Sequence, residues 1–167
     1  SLVCLSAETP LRPVSTYSIV ALDEETGQLG VAVQSHWFSV GTVVPWAKAG
    51  VGAVATQSIA EPSYGPKGLA LMEQGIPADE VLQSLVAKDL GAAVRQIAMV
   101  DAQGNVGAHT GSRCISYASH STGKNYSVQA NIMAKSTVPA AMIQAFENTP
   151  GNLAERMLAA LDAAEAE

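Results

Sequence analysis

Basic residues are scarce in this chain. Nine Lys and Arg stand against fifteen Asp and Glu in 167 residues, for a formal net charge of −6, and no two basic residues are adjacent. The isoelectric point is about 5.0. The attraction that draws proteins to a phosphate backbone is therefore missing, which excludes a nucleic-acid binder. Cysteine is almost absent. Cys4 and Cys114 carry no Cys-x-x-Cys spacing, so they make neither a disulfide framework nor a zinc knuckle. The three histidines, His36, His109 and His120, are scattered and have no paired carboxylates beside them, a poor basis for a zinc site. No apolar run approaches the roughly 20 residues that a membrane-spanning helix needs. What is abundant is apolar residue content, 48% against only 14% charged, with a mean hydropathy of +0.18. That composition belongs to a folded chain with a large core, and the length fits one domain.

Residues 1–15, SLVCLSAETPLRPVS, differ from the rest: a short apolar patch with Ser and Ala, then two prolines. They read as an N-terminal extension or the remnant of a secretory leader, with a secreted or periplasmic protein as the corresponding expectation and a cytoplasmic one as the alternative. The single domain is expected over 16–167.

Within it, Tyr17–Leu22 and Leu29–Val33 are two β-forming runs separated by Glu24, Glu25, Thr26 and Gly27, which predicts a hairpin. Antiparallel pairing brings the hydroxyls of Thr16 and Ser18 to the end where Ser35 lies. Val40–Val44 reads as a strand, Pro45–Gly50 as a turn with Trp46 over the core edge, and Val51–Gln57 as another strand. The period then changes. Tyr64, Leu69 and Met72 share one side of a helix closed by Gly75; a second helix starts at Pro77, carries Val81, Leu82, Leu85 and Val86 inward with Lys88 in its last turn, and ends at Gly91. Strands return at Val94–Val100 and Asn105–Thr110 around an Asp101–Gly104 turn, Ser112–Lys124 reads as a polar loop, and 125–133 as a strand. Two helices close the chain. Ser136 or Thr137 caps the first, with Val138, Met142 and Phe146 inward; Asn152 and Glu155 form a capping box for the second, with Leu153, Met157, Leu158 and Leu161 inward. Strand runs followed by helix pairs that are apolar on one face predict an α+β fold of two stacked sheets between helical layers.

The blocks TYSIVALDEETGQLGVAVQS, VGTVVPWAKAGVGAVATQ, VDAQGNVGAHTG and NYSVQANIMA, in that order, resemble the bacterial and archaeal family called domain of unknown function 1028, over roughly Thr16 to Glu165. The resemblance implies a fold like the N-terminal nucleophile hydrolases, a four-layer αββα sandwich. In that family the Thr of the T-[FY]-S-I-V block commonly follows the initiator Met or a leader, whereas here fifteen residues precede Thr16. Family members also continue past the Ala-Glu-Ala-Glu at the end of this sequence into a further apolar strand. The expectation is thus a domain lacking its C-terminal strand, with one sheet edge unpaired.

In an N-terminal nucleophile enzyme a hydroxyl attacks a carbonyl and the residue's own α-amine is the base. Thr16 matches that position, Ser15 is the fallback, and an ordinary β-branched strand residue is the other reading. Ser35, His109 and Asn131 join Thr16 as catalytic candidates, with Gln57, Ser58 and Ser18 as substrate-binding ones. Gln57 and Asn131 could supply oxyanion donors or could equally hold buried backbone together; His109 could be an acid or base or a structural histidine; Ser35 could be an ordinary strand end. His36 and His120 are expected in surface loops. Trp37, Phe38 and Trp46 could wall a pocket or cover the core edge. The functional expectation is an amide or peptide-like hydrolase activated by processing at Thr16, with a small-molecule or peptide-like substrate, no cofactor and no metal. The alternative is a catalytically silent binding or self-assembling protein on the same fold, a homo-oligomer that could include a separate C-terminal fragment.

Overall fold

The structure is a computed structural model and describes residues 14–167. Most of the 1–15 extension, including Cys4, lies outside the described residues. Among those described there are eight strands and four α-helices: β1 (Thr16–Asp23), β2 (Gln28–Ser35), β3 (Pro45–Lys48), β4 (Gly52–Ser58), α1 (Tyr64–Met72), α2 (Ala78–Val86), β5 (Arg95–Asp101), β6 (Val106–Thr110), β7 (Ser119–Gly123), β8 (Tyr126–Asn131), α3 (Val138–Asn148) and α4 (Leu153–Glu165). The fold is α+β with two antiparallel sheets, ordered β2-β1-β8-β7 and β3-β4-β5-β6.

The central strands are buried on both faces, and the two faces carry different residues. Odd-numbered Tyr17, Ile19 and Ala21 of β1 and even-numbered Tyr126, Val128 and Ala130 of β8 pack with Met142, Phe146, Leu153 and Met157 of α3 and α4. Val54 of β4 and Ile97 and Met99 of β5 pack with Tyr64, Leu69, Val81 and Leu82 of α1 and α2. The opposite faces meet each other through Val20, Leu22, Ala53, Ala55, Ala98 and Val100. Because side chains alternate along a strand, Thr16 and Ser18 of β1, Gln57 of β4, Gln96 of β5 and Gln129 and Asn131 of β8 share that inner face. The space between the sheets is thereby apolar at one end and polar at the other.

Several expectations hold and several are corrected. The hairpin pairs Thr16 with Ser35 through Asp23 with Gln28. Asn152 accepts from the Glu155 amide while Glu155 accepts from that of Asn152, the expected capping box. Val40–Val44 is not a strand: Val40–Thr42 is a 3-10 turn, and the strand is Pro45–Lys48, in the expected turn, where Trp46 pairs with Val54. The supposed polar loop contains β7, paired with β8 from Ser119↔Ala130 to Gly123↔Tyr126. The second helix stops at Val86, before Lys88 and Gly91. Leu158 faces out, 58% exposed. Trp46 takes the other of its two readings, at the core edge, and packs so tightly on α1 that a Cβ on Gly65 would lie 2.2 Å from its ring.

Candidate functional site

Register delivers three of the sequence candidates to one level of one sheet. Thr16 pairs with Ser35 on one side and with Asn131 on the other. Thr16 Oγ1 and Ser35 Oγ are 2.7 Å apart, and Ser35 Oγ also accepts from the Trp37 amide at 3.0 Å. The strand ladder continues one step beyond β1, where the His36 amide donates to the Ser15 carbonyl at 3.1 Å.

Behind this pair lies a buried side-chain network whose orientation can be deduced. Gln96 Nε2 faces the carbonyls of Ala130 and Ser119, at 3.0 and 3.2 Å, and Thr110 Oγ1 at 2.9 Å, so it must be the nitrogen. Gln96 Oε1 is then the acceptor for Gln57 Nε2 at 2.7 Å and Asn131 Nδ2 at 3.0 Å. Gln57 Oε1 accepts from Ser18 Oγ, which in turn accepts from Gln129 Nε2, both at 2.7 Å. Both sheets contribute, so the network ties them together at their polar end. Gln57 Nε2 thus donates within the protein to Gln96 and, at 3.4 Å, to the Gln129 carbonyl, whereas Asn131 Nδ2 spends one of its two N–H groups on Gln96. Asn131 Oδ1 is left as a buried oxygen without a partner.

A cavity of about 410 Å³ opens in front of Thr16, with Gln57, Ser58 and Asn131 in its wall. Trp37 and Phe38 line it, the first of their two readings, and Val44, Ile59, Ile115 and Ile132 complete an apolar surround that sequence reading missed. No signal along the chain marks them, because they come from separate connections that only the two stacked sheets bring together. Ser58 and Ile132 each follow a strand residue of the polar network, and both have positive φ, 70° and 59°. For a β-branched residue such as Ile132 this is an unusual, costly conformation, of the kind that gathers at functional sites. The rim is held by Arg95, whose Nη1 donates to the Ile59 carbonyl at 2.6 Å while its Nε pairs with Asp89 at 3.0 Å. Burial pushes Asp89 up, but hydrogen bonds from Arg95, the Gly91 amide and Tyr64 outweigh it and hold the carboxyl below its ordinary range.

The histidines fall elsewhere. His109 lies on β6, an edge strand of the other sheet, and its Nε2 bonds the Ala92 carbonyl at 2.9 Å; it does not line the cavity beside Thr16. His120 is in β7, not a surface loop, with Nδ1 2.8 Å from Thr110 Oγ1. Burial, and then the nearby His109, lower its pKa from the ordinary 6.5. His36 is exposed. Among the described residues no group of three or more His, Cys, Asp or Glu could hold a metal ion, Cys114 is a free thiol, and no helix is long and apolar enough to cross a membrane. A larger groove of about 610 Å³ runs along α1 and α2, in which Tyr64 bonds Asp89 and Lys67 bonds Ser63.

Residues 16–167 match the model of a family of unknown function, DUF1028. The chain belongs to this family. A crystal structure of a DUF1028 protein from Silicibacter pomeroyi is similar over 91% of this chain and 68% of its own, with a TM-score of 0.87 and 31% identity. No curated protein matches the chain. The family match begins at Thr16, the first residue of β1 and one of the residues that line the cavity.

Proposed function

We propose that this DUF1028 protein is an N-terminal nucleophile hydrolase acting on an amide or peptide-like bond, with its two sheets and outer helix pairs forming the four-layer αββα sandwich of that class. The observation that carries the proposal is Thr16, at the end of an inner strand, lining a cavity with its hydroxyl bonded to Ser35. Thr16 is joined to Ser15 by a peptide bond, so a first cleavage must free its amine. Thr16 Oγ1 attacks the Ser15 carbonyl carbon, whose oxygen already receives the His36 N–H, and the C–N bond breaks as the proton moves from Oγ1 to the Thr16 nitrogen. Water then hydrolyses the resulting ester.

In the mature enzyme the freed α-amine takes the Oγ1 proton as the oxygen bonds the substrate carbonyl carbon. The tetrahedral centre collapses, the amine leaves with that proton, and water, activated by the same α-amine, hydrolyses the acyl-Thr16 ester. Ser35, 2.7 Å away, orients the nucleophile. Intact mass and N-terminal sequencing test the reading. The wild-type chain is expected to appear cut before Thr16 and Thr16→Ala uncut, with hydrolysis of a fluorogenic amide panel following the cut. An uncut wild-type chain, or a Thr16→Ala variant that still hydrolyses amides, refutes it.

A second reading, a silent binding or self-assembling protein, is favoured by Trp37 and Phe38, which are 68% and 92% exposed. It predicts a homo-oligomer that Phe38→Ala dissociates.

A further inference from the structure

We infer that the cavity beside Thr16 selects an uncharged ligand through an apolar side group, so that the bond cleaved is that of a neutral amide carrying an aromatic or branched aliphatic group. The inference rests on the proposed function for the cleavage but not for the binding. Its first support is the chemistry of the wall. Thr16, Gln57, Ser58 and Asn131 are its polar members, every other lining residue is apolar, and no Asp, Glu, Lys, Arg or His is among them. Arg95, which holds the rim at Ile59, is already committed to Asp89 and to the Ile59 carbonyl. With the Thr16 nitrogen in its peptide bond, or freed and neutral as a base must be, a ligand carboxylate or ammonium would enter without a counter-charge, and desolvation then works against it.

The second support is where the exposed apolar surface lies. Of the seven large apolar side chains that are exposed among the described residues, four line this cavity: Trp37, Phe38, Ile59 and Ile115. They are more than half exposed, and Phe38 is 92% exposed. Apolar area gathered at the mouth of a concave site, rather than scattered, marks a binding surface. A volume of about 410 Å³ admits a benzyl-sized group together with the amide that joins it. Thr16 stands at the polar side of the cavity, so the side group would seat against Trp37 and Phe38 while the amide meets the hydroxyl.

The test uses the full chain as isolated and its Thr16→Ala variant, with three probes: N-acetyl-phenylalaninamide, N-acetyl-alaninamide and N-acetyl-phenylalanine, whose carboxylate is charged at neutral pH. Calorimetry gives the affinities, with the summed fluorescence of Trp37 and Trp46 as a second readout. The phenylalaninamide probe is expected to bind Thr16→Ala about tenfold or more tighter than the alaninamide probe, the gain from burying one benzyl group. The carboxylate probe is expected to bind at least about tenfold more weakly than its amide. Adding Phe38→Ala, a change at an exposed position, should remove most of the aromatic preference. Equal affinity for the aromatic and alanine probes overturns the inference. So does equal affinity for the charged probe, or no binding of any probe. Binding as described without hydrolysis by the wild-type chain refutes the proposed function alone. Hydrolysis of charged amides lacking an apolar group overturns the inference alone.

Discussion

Replacing Gln96 with Leu should be among the most damaging single changes in this chain, although the new side chain is of similar size and apolar. Gln96 is fully buried between the sheets. Its loss strips Asn131 Nδ2 of its acceptor and leaves Gln57 Nε2 with only the Gln129 carbonyl at 3.4 Å. It also removes a donor from the Ala130 and Ser119 carbonyls and from Thr110 Oγ1. A buried polar group left without a partner costs about 1–3 kcal/mol. Counting Asn131 Nδ2 in full and the weakened Gln57 contact and one carbonyl in part gives about 3–5 kcal/mol, a large share of the roughly 5–15 kcal/mol that holds a domain folded. Urea denaturation followed by far-UV circular dichroism measures this as a lowered midpoint at unchanged slope. The double variant Gln96→Leu with Asn131→Leu sharpens the test. Once both partners are apolar, the orphaned amide is gone, so the two costs should fall short of additivity by about 1–2 kcal/mol. A loss below about 1 kcal/mol for Gln96→Leu, or strict additivity in the pair, would show that the network does not join the sheets as described.

Three further outcomes follow from the same geometry. His120 is held neutral in the folded chain with its pKa below 6.5, so the unfolded chain binds its proton first as pH falls; stability should decline with acidification below about pH 6.5, and His120→Gln should flatten that slope in urea titrations. Asp101 should prove structurally expensive, because Oδ1 accepts from the Gln103 and Asn105 amides of its own turn while Oδ2 accepts from the Ala78 amide at the start of α2; Asp101→Ala should cost about 2–4 kcal/mol in the same assay, and a loss near zero contradicts the double role. Gly65→Ala, a change that favours a helix by propensity, should instead lower the melting temperature, because the added methyl meets the Trp46 ring at 2.2 Å; an unchanged or raised melting temperature would mean that the α1–β3 contact is looser than drawn.

Periodicity and turn chemistry were enough for the elements that are stabilised locally. The β1–β2 hairpin, the Asp101–Gly104 turn and the Asn152–Glu155 cap are written in residues close in sequence, and each is found where its signal lies. Thr16 and Ser35 could be expected to meet because hairpin register alone decides it. The remaining features depend on partners far along the chain. β7, SHSTG, is polar and short, and becomes a strand only because β8 offers it a paired edge. The Val40–Val44 run has the composition of a strand, yet Pro45–Lys48 is what pairs with β4, and the apolar run forms cavity wall instead. Gln96 carries no pattern that separates it from a surface glutamine. Its place at the centre of the network exists only once β5 lies across from β8, which also turns the amides of Gln57 and Asn131 inward. The sequence by itself determined the apolar core, the local elements and the hydroxyl pair at the end of β1, since these rest on neighbours a few residues apart. Stacking of the two sheets decided the amide network and the uncharged cavity in front of Thr16, because both are made of side chains that no local interaction brings together.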